Sequence, residues 1–243
     1  MQSFPPPDLV SYVGLILVTD ELQAPADFLI HRFLHLRLKD SKQSQCLFIS
    51  VSEDMERIKA VASKSNLNLS QNGRFKFIDL NAHLEEQPDN SLQDSRLRRV
   101  FDVVTSELYN AQGGEGNFLV ILDDIASLEW LGFSVLDLSR LCRALKAFCL
   151  KERATLVIRH HIISPSEPGI LFQHLLQLCS YHVEVRPLSS GRSGAVSGEL
   201  CLHTGPVESE PSQQLIARPT ALQYRLTDGG AIFFNKGTSE GVL

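Results

Sequence analysis

Short apolar and β-branched runs, each bounded by turn residues, alternate along this chain with longer segments of helical period. That alternation restricts it to βαβ crossover units around a mostly parallel sheet. The expected strands are Leu15–Val18, Cys46–Val51, Phe75–Leu80, Phe118–Leu122, Thr155–Ile158 and His182–Val185. Between them, helices are expected over Ala26–Lys39, Met55–Ser65, Ser95–Tyr109, a long segment after Asp124, and Ile170–Cys179. Phe118–Leu122 is apolar almost throughout, as suits a strand covered on both faces, and it ends in Asp123 and Asp124. Leu97, Val100, Phe101, Val104 and Leu108 share one helix face; Leu138, Leu141, Cys142, Leu145, Phe148 and Cys149 form a second apolar stripe. After Val185 the pattern changes. Glu199–His203, Leu222–Thr227 and Ala231–Asn235 read as strands, the last two joined through Asp228-Gly229-Gly230 as a hairpin, so antiparallel strands finish the sheet.

With 243 residues and 43% hydrophobic content the chain can bury a full core, and residues 1–243 are read as one domain. Residues 1–11, with three consecutive prolines, are expected to be a flexible terminus, and residues 85–95, 187–198 and 205–219 to be mobile loops rich in Ser, Gly, Pro or charge. A net charge of −5 argues against a non-specific coat on a polyanion, so any nucleic-acid contact must be focal. The five cysteines form no C-x-x-C pair and sit among apolar neighbours, as buried thiols of a reducing compartment do. The first eleven residues lack a basic stretch before an apolar run, so they are not a secretory signal. No stretch approaches the roughly 20 apolar residues of a membrane span. A cytoplasmic protein, with the nucleus also open to it, is the expectation.

An alternating βα block closed by antiparallel strands has the layout of RecA-like ring proteins, a three-layer sandwich around a mostly parallel sheet. In those ATPases the turn after the first strand carries G-x-x-x-x-G-K-[ST], whose backbone amides and Lys hold the phosphates. Here the turn reads Thr19-Asp20-Glu21-Leu22-Gln23-Ala24-Pro25, with no Gly and no Lys, a Pro that has no amide proton, and two acids that would repel a polyphosphate. Asp123 and Asp124 retain the strand-then-acid shape that orders Mg²⁺ in ATPases. Without a phosphate cradle they read as caps of the following segment or as partners of a neighbouring subunit.

His31 and His35 have the spacing of a zinc pair, but Arg32 stands where a metalloprotease has Glu, and Asp27, His31, His35 and Lys39 form a polar stripe. No metal, no cofactor and no catalytic residue follow from the sequence. Arg159, His160 and His161, expected to end a strand and open a loop, are candidates for phosphate contact, against an ordinary polar loop. Arg192, in a Ser/Gly-rich segment, is a fourth RNA candidate against a plain connector. Arg96, Arg98 and Arg99 open a helix at the unfavourable end of its dipole, which points to an acidic partner or RNA, against plain pairing with Asp94 and Asp102, the favoured reading.

Leu222-Gln223-Tyr224-Arg225-Leu226-Thr227, Phe233-Phe234-Asn235-Lys236-Gly237 and Gly241-Val242-Leu243 resemble the C-terminal end of the sixth-subunit family of the eukaryotic Elongator complex. Phe28–Leu34, Val120–Ile125, Leu131-Gly132 and Leu141–Ala144 agree in order along nearly the whole chain. The resemblance implies a non-catalytic RecA-like subunit that forms a six-membered ring with Elongator subunits four and five. It also implies that this ring binds tRNA and supports wobble-uridine modification carried out by another subunit. Two alternatives stay open: a divergent ATPase of the RecA or circadian-clock type using Asp123 and Asp124, and a pure assembly scaffold without RNA contact.

Overall fold

The computed structural model describes residues 3–69, 73–85, 93–111, 118–191, 193–208 and 211–236. Six strands run parallel: β1 (Gly14–Glu21), β2 (Gln45–Ser50), β3 (Phe75–Asp79), β4 (Phe118–Asp123), β5 (Thr155–Ile162) and β6 (Tyr181–Arg186). β7 (Gly198–Thr204), β8 (Leu222–Thr227) and β9 (Gly230–Asn235) add antiparallel to the edge at β6. The order across the sheet is β3-β2-β4-β5-β1-β6-β7-β8-β9. The expected RecA-like sandwich holds, with a mostly parallel sheet and C-terminal antiparallel strands.

The central parallel strands β1, β2, β4 and β5 are apolar over most of their length because both faces are covered, and their period of two divides them between two cores. Ile16, Val18, Ile121 and Val157 pack on one side beneath helices α2 (Asp27–Asp40) and α3 (Met55–Lys64). Leu15, Leu17, Val120, Leu122, Leu156 and Ile158 pack on the other, beneath α5 (Gln93–Ala111), α7 (Val135–Lys151) and α8 (Ile170–Leu178). Local chemistry sets the helix starts. The Asp54 carboxylate accepts the Arg57 N–H at 2.7 Å, and the Ser134 hydroxyl accepts the Asp137 N–H at 3.1 Å, each satisfying an amide that has no helical partner. All five cysteines are free and buried, as their apolar neighbours led us to expect.

Several expectations change. Residues 3–11 are not a loose tail: Phe4, Leu9 and Val10 are buried, and Pro7–Val10 forms a one-turn helix α1 whose Val10 carbonyl accepts from the Arg37 guanidinium at 3.2 Å. Arg37 lies on the apolar stripe of α2 and is fully buried; it also donates to the Phe118 carbonyl and the Thr155 hydroxyl, at 3.1 and 3.3 Å. The third strand stops at Asp79, where a short helix α4 (Leu80–Glu85) begins. Before α7 stands another, α6 (Ile125–Trp130), with Asp124 as its N-cap residue. The segment 205–219 is partly fixed, since Ile216 exchanges both backbone hydrogen bonds with Leu202 at 2.9 and 3.0 Å. Residues 86–92 of the first expected loop, Arg192 of the second, and residues 237–243 lie outside the described residues. Among the described residues no helix is long and apolar enough to cross a membrane.

Candidate functional site

In open α/β sheets ligands bind beyond the carboxyl ends of the strands, where the crossover helices change faces. Here that point lies between β1, whose helix α2 covers one face, and β5 and β4, whose helices α8 and α7 cover the other. The crevice is filled by side chains. β5 lies between β4 and β1, with Leu122 opposite Ile158 and Val18 opposite Arg159. Asp123, one residue past Leu122 on β4, and Asp20, two residues past Val18 on β1, flank Arg159. Period-two alternation turns all three toward α2, whose first residue is Asp27.

Arg159 is therefore enclosed by three carboxylates. Its Nε and Nη2 donate to Asp20 Oδ2 at 3.2 and 3.0 Å; its Nη1 donates to Asp27 Oδ1 at 2.9 Å and to Asp123 Oδ1 at 3.1 Å. Arg159 is 3% exposed, Asp20 0% and Asp123 1%. Burial opposes the Arg159 charge, but Asp20, Asp123 and Asp27 outweigh it and hold the guanidinium above its ordinary pKa. Burial also pushes the Asp123 carboxyl up to about 6, with Arg159 pulling the other way. His161 Nδ1 lies 2.5 Å from Asp20 Oδ1, and this contact raises the imidazole's pKa against the effect of burial. The cluster thus sets one guanidinium and one imidazole against three carboxyl groups.

The turn after β1 is closed from within. Ala24 N–H donates to the Glu21 carbonyl at 2.9 Å, and the Ala26 N–H at the start of α2 donates to Asp20 Oδ2 at 2.6 Å. A helix N-terminus is a ready anion site; here its anions are Asp20 and Asp27.

The placement of Arg159 and His160 corrects the expectation for the loop. β5 does not stop at Ile158 but pairs with β1 as far as Ile162, so Arg159, His160 and His161 belong to a strand. Arg159 points into the carboxylate cluster. His160 points to the opposite face, where it is buried 5.8 Å from the Phe172 ring, and burial pushes its pKa down to about 4. Only His161 is half-exposed, and Arg192 lies outside the described residues. Asp124 takes left-handed backbone angles, φ 57° and ψ 64°, and accepts from the Ser127 hydroxyl, so it caps the turn into α6. Arg98 pairs with Asp102, as expected, while Arg96 lies over the Phe133 ring.

Beside the cluster opens a cavity of about 510 Å³ lined by Trp130, His161, Ile163, Phe172, Glu129 and Glu167. Trp130, Ile163 and Ile170 are 75%, 64% and 62% exposed, large apolar side chains gathered at one end of the sheet. The Asp20–Arg159–Asp123 set went unseen in the sequence, although the signal existed: polar residues of matching parity at the ends of three apolar strands.

The family profile described as Elongation complex protein 6 matches residues 6–228. The chain belongs to that family. Elongator complex protein 6 of Danio rerio is 26% identical over 98% of this chain and 96% of its own length. The Homo sapiens protein of the same name is 25% identical over the same shares. The family match covers the sheet through β8, with both Asp20 and Arg159 inside it.

Proposed function

We propose that this chain is a non-catalytic RecA-like subunit of the Elongator complex, acting as one domain over residues 1–243. On this reading it assembles with subunits four and five into a six-membered ring, works in the cytoplasm with access to the nucleus, and contacts the remaining Elongator subunits through that ring. The ring binds tRNA and supports wobble-uridine modification, whose chemistry lies in another subunit. The observation that carries the reading is the filled switch-point crevice: Arg159, Asp20 and Asp123 occupy one another where a related fold would hold a nucleotide. Family membership supplies the setting. The exposed Trp130, Ile163 and Ile170 support the assembly part, since apolar groups gathered on a surface mark a protein interface. The tRNA contact falls to half-exposed His161 and to residues 187–198 with Arg192, because Arg159 and His160 face inward.

Native mass spectrometry of the chain co-expressed with subunits four and five tests this. The expected species is a heterohexamer with two copies of this chain; a lone monomer beside soluble partners would overturn the ring. Nucleotide turnover by the isolated chain that Asp123→Ala abolishes would overturn the non-catalytic part and favour the divergent ATPase. The acidic rim of the cavity, Glu129 and Glu167, favours a scaffold without RNA contact as the second reading. His161→Ala with Arg192→Ala in the assembled ring separates the two. Salt-sensitive tRNA affinity that falls supports RNA contact by this chain, and unchanged affinity supports the scaffold.

A further inference from the structure

β6 and β7 carry an unusual set of cross-strand pairs. His182 faces His203, Glu184 faces Cys201 and Arg186 faces Glu199, all on one side of the sheet, while Val183, Val185, Leu200 and Leu202 point into the opposite core. That polar side borders α8, the last helix of its layer, whose Phe172 reaches only as far as His182. Beyond it the face opens toward solvent past Arg218, whose side chain is 62% exposed. One donor atom each from Glu184, Cys201 and His203 lies within 4.8 Å of the others. His203 Nε2 is 3.0 Å from Glu184 Oε2.

We propose that Glu184, Cys201 and His203 form a three-ligand site for a divalent transition ion of the zinc class, its fourth position open to solvent. Metal bonds of about 2.0–2.3 Å put tetrahedral ligands roughly 3.3–3.8 Å apart, so about an ångström of side-chain movement closes the set. The strands fix the rest through register. A donor set of one imidazole, one thiol and one carboxylate suits zinc or its neighbours and does not suit Mg²⁺ or Ca²⁺, which take oxygen shells. Support for the ligands is present as well. His182 is held by the Thr19 hydroxyl at 2.7 Å and lies 5.6 Å, ring to ring, from His203, limiting how that imidazole can turn. Arg186 and Glu199 neutralise each other at 2.6 Å next to the site. The one competitor is Arg218, whose guanidinium holds both Glu184 oxygens, at 3.0 and 2.7 Å, and an ion must displace it from at least one. A thiol must lose its proton to bind such an ion, so metal binding at Cys201 would release one proton to water. The site stands on the far side of β1 from Arg159, and its test reads metal binding by the chain alone.

The test is titration of the full, tag-free chain with Co²⁺, followed by optical spectroscopy. The expected result is one equivalent bound, with a thiolate-to-cobalt charge-transfer band that Zn²⁺ displaces. Cys201→Ser should remove the band, and His203→Ala should weaken binding at least about tenfold, with circular dichroism unchanged. Arg218→Ala should tighten binding about two- to fivefold, the scale of an exposed ion pair. No band with the folded wild-type chain, or a band that persists in Cys201→Ser, overturns the site. Should Cys201→Ser fail to fold, partly exposed His203 decides alone: unaltered Co²⁺ affinity in His203→Ala overturns it. No gain in Arg218→Ala would remove Glu184 from the ligand set, and the three-ligand site with it.

Discussion

Arg159→Met is the perturbation whose outcome the structure constrains most tightly. Methionine keeps an unbranched apolar stem of similar length but removes a guanidinium held by Asp20, Asp27 and Asp123. Asp20 and Asp123 are almost wholly buried, so both lose the guanidinium without gaining water, and Asp20 keeps only its His161 contact. Breaking a buried ion pair from one side costs about 3–5 kcal/mol, a large share of the roughly 5–15 kcal/mol that stabilises a domain. With a urea m-value of about 1–3 kcal/mol/M the unfolding midpoint should fall by about 1–3 M. Asp20→Asn and Asp123→Asn added to Arg159→Met should recover half of the loss or more, because they remove the stranded charges. The pH dependence has a definite sign. Asp123 already titrates near 6 with Arg159 beside it, above its unfolded value of about 3.9, and without Arg159 it rises further. The folded variant then binds a proton that the unfolded chain does not, so the deficit relative to wild type shrinks as pH falls from 7 toward 5. A loss below about 1 kcal/mol, or no recovery in the triple variant, would refute the reasoning. A side chain reserved for RNA would behave in the opposite way, leaving unfolding unchanged and lowering tRNA affinity.

Other positions give sharper single readings. A Cβ at Gly205 would lie 2.0 Å from the Cys179 carbonyl oxygen, so Gly205→Ala should cost about 1–3 kcal/mol and lower Tm by several degrees, whereas Gly229→Ala, with nothing within 4 Å, should leave it in place. His160 is held near 4 by burial, below its unfolded value of about 6.5, so its neutral form adds stability above that value which is lost as pH falls toward 4. His160→Phe should therefore flatten the stability profile by about 1.4 kcal/mol per pH unit within that window, read by urea unfolding at stepped pH. Trp130→Ser with Ile163→Ser should change monomer unfolding by less than about 0.5 kcal/mol yet reduce the yield of assembled ring in native mass spectrometry; an unchanged yield would take this patch out of the interface.

The sheet was legible in the sequence because strands buried on both faces are written as uninterrupted apolar runs, and β1, β2, β4 and β5 appear at the expected positions. What failed was the end of such a run. β5 continues through Arg159, His160 and His161, three polar residues that a hydrophobicity reading assigns to a loop, because β1 extends alongside as far as Glu21 and pairs with them. Their partners come from β1, β4 and α2, at separations of 139, 36 and 132 residues, beyond any local pattern. Arg37 was hidden for a related reason. It falls three residues after Leu34 and four after Phe33, on the apolar stripe of α2, and its acceptors are carbonyls at the amino ends of β4 and β5 that only the folded sheet brings together. The residues of the β6–β7 pairs were legible as strands but not as a cluster, since that requires the antiparallel register.

On the proposed reading, the carboxylate cluster stands at the switch point in the place of a nucleotide. A helix beginning beside a strand end leaves amides unpaired, and a bound phosphate would ordinarily accept from them. Asp20 takes over that role by accepting from the Ala26 N–H, and Arg159 then balances Asp20 as a metal or Lys would balance a phosphate. The substitution is self-reinforcing: with Asp20 in place a polyphosphate would meet negative charge, and Arg159 occupies the space between Asp20, Asp27 and Asp123. Restoring nucleotide binding would therefore take more than inserting a Gly-Lys-Thr turn. Asp20 would have to leave as well, and its removal alone would take two hydrogen bonds from Arg159, which Asp27 and Asp123 would still hold, and would leave the Ala26 N–H at the first turn of α2 without its acceptor.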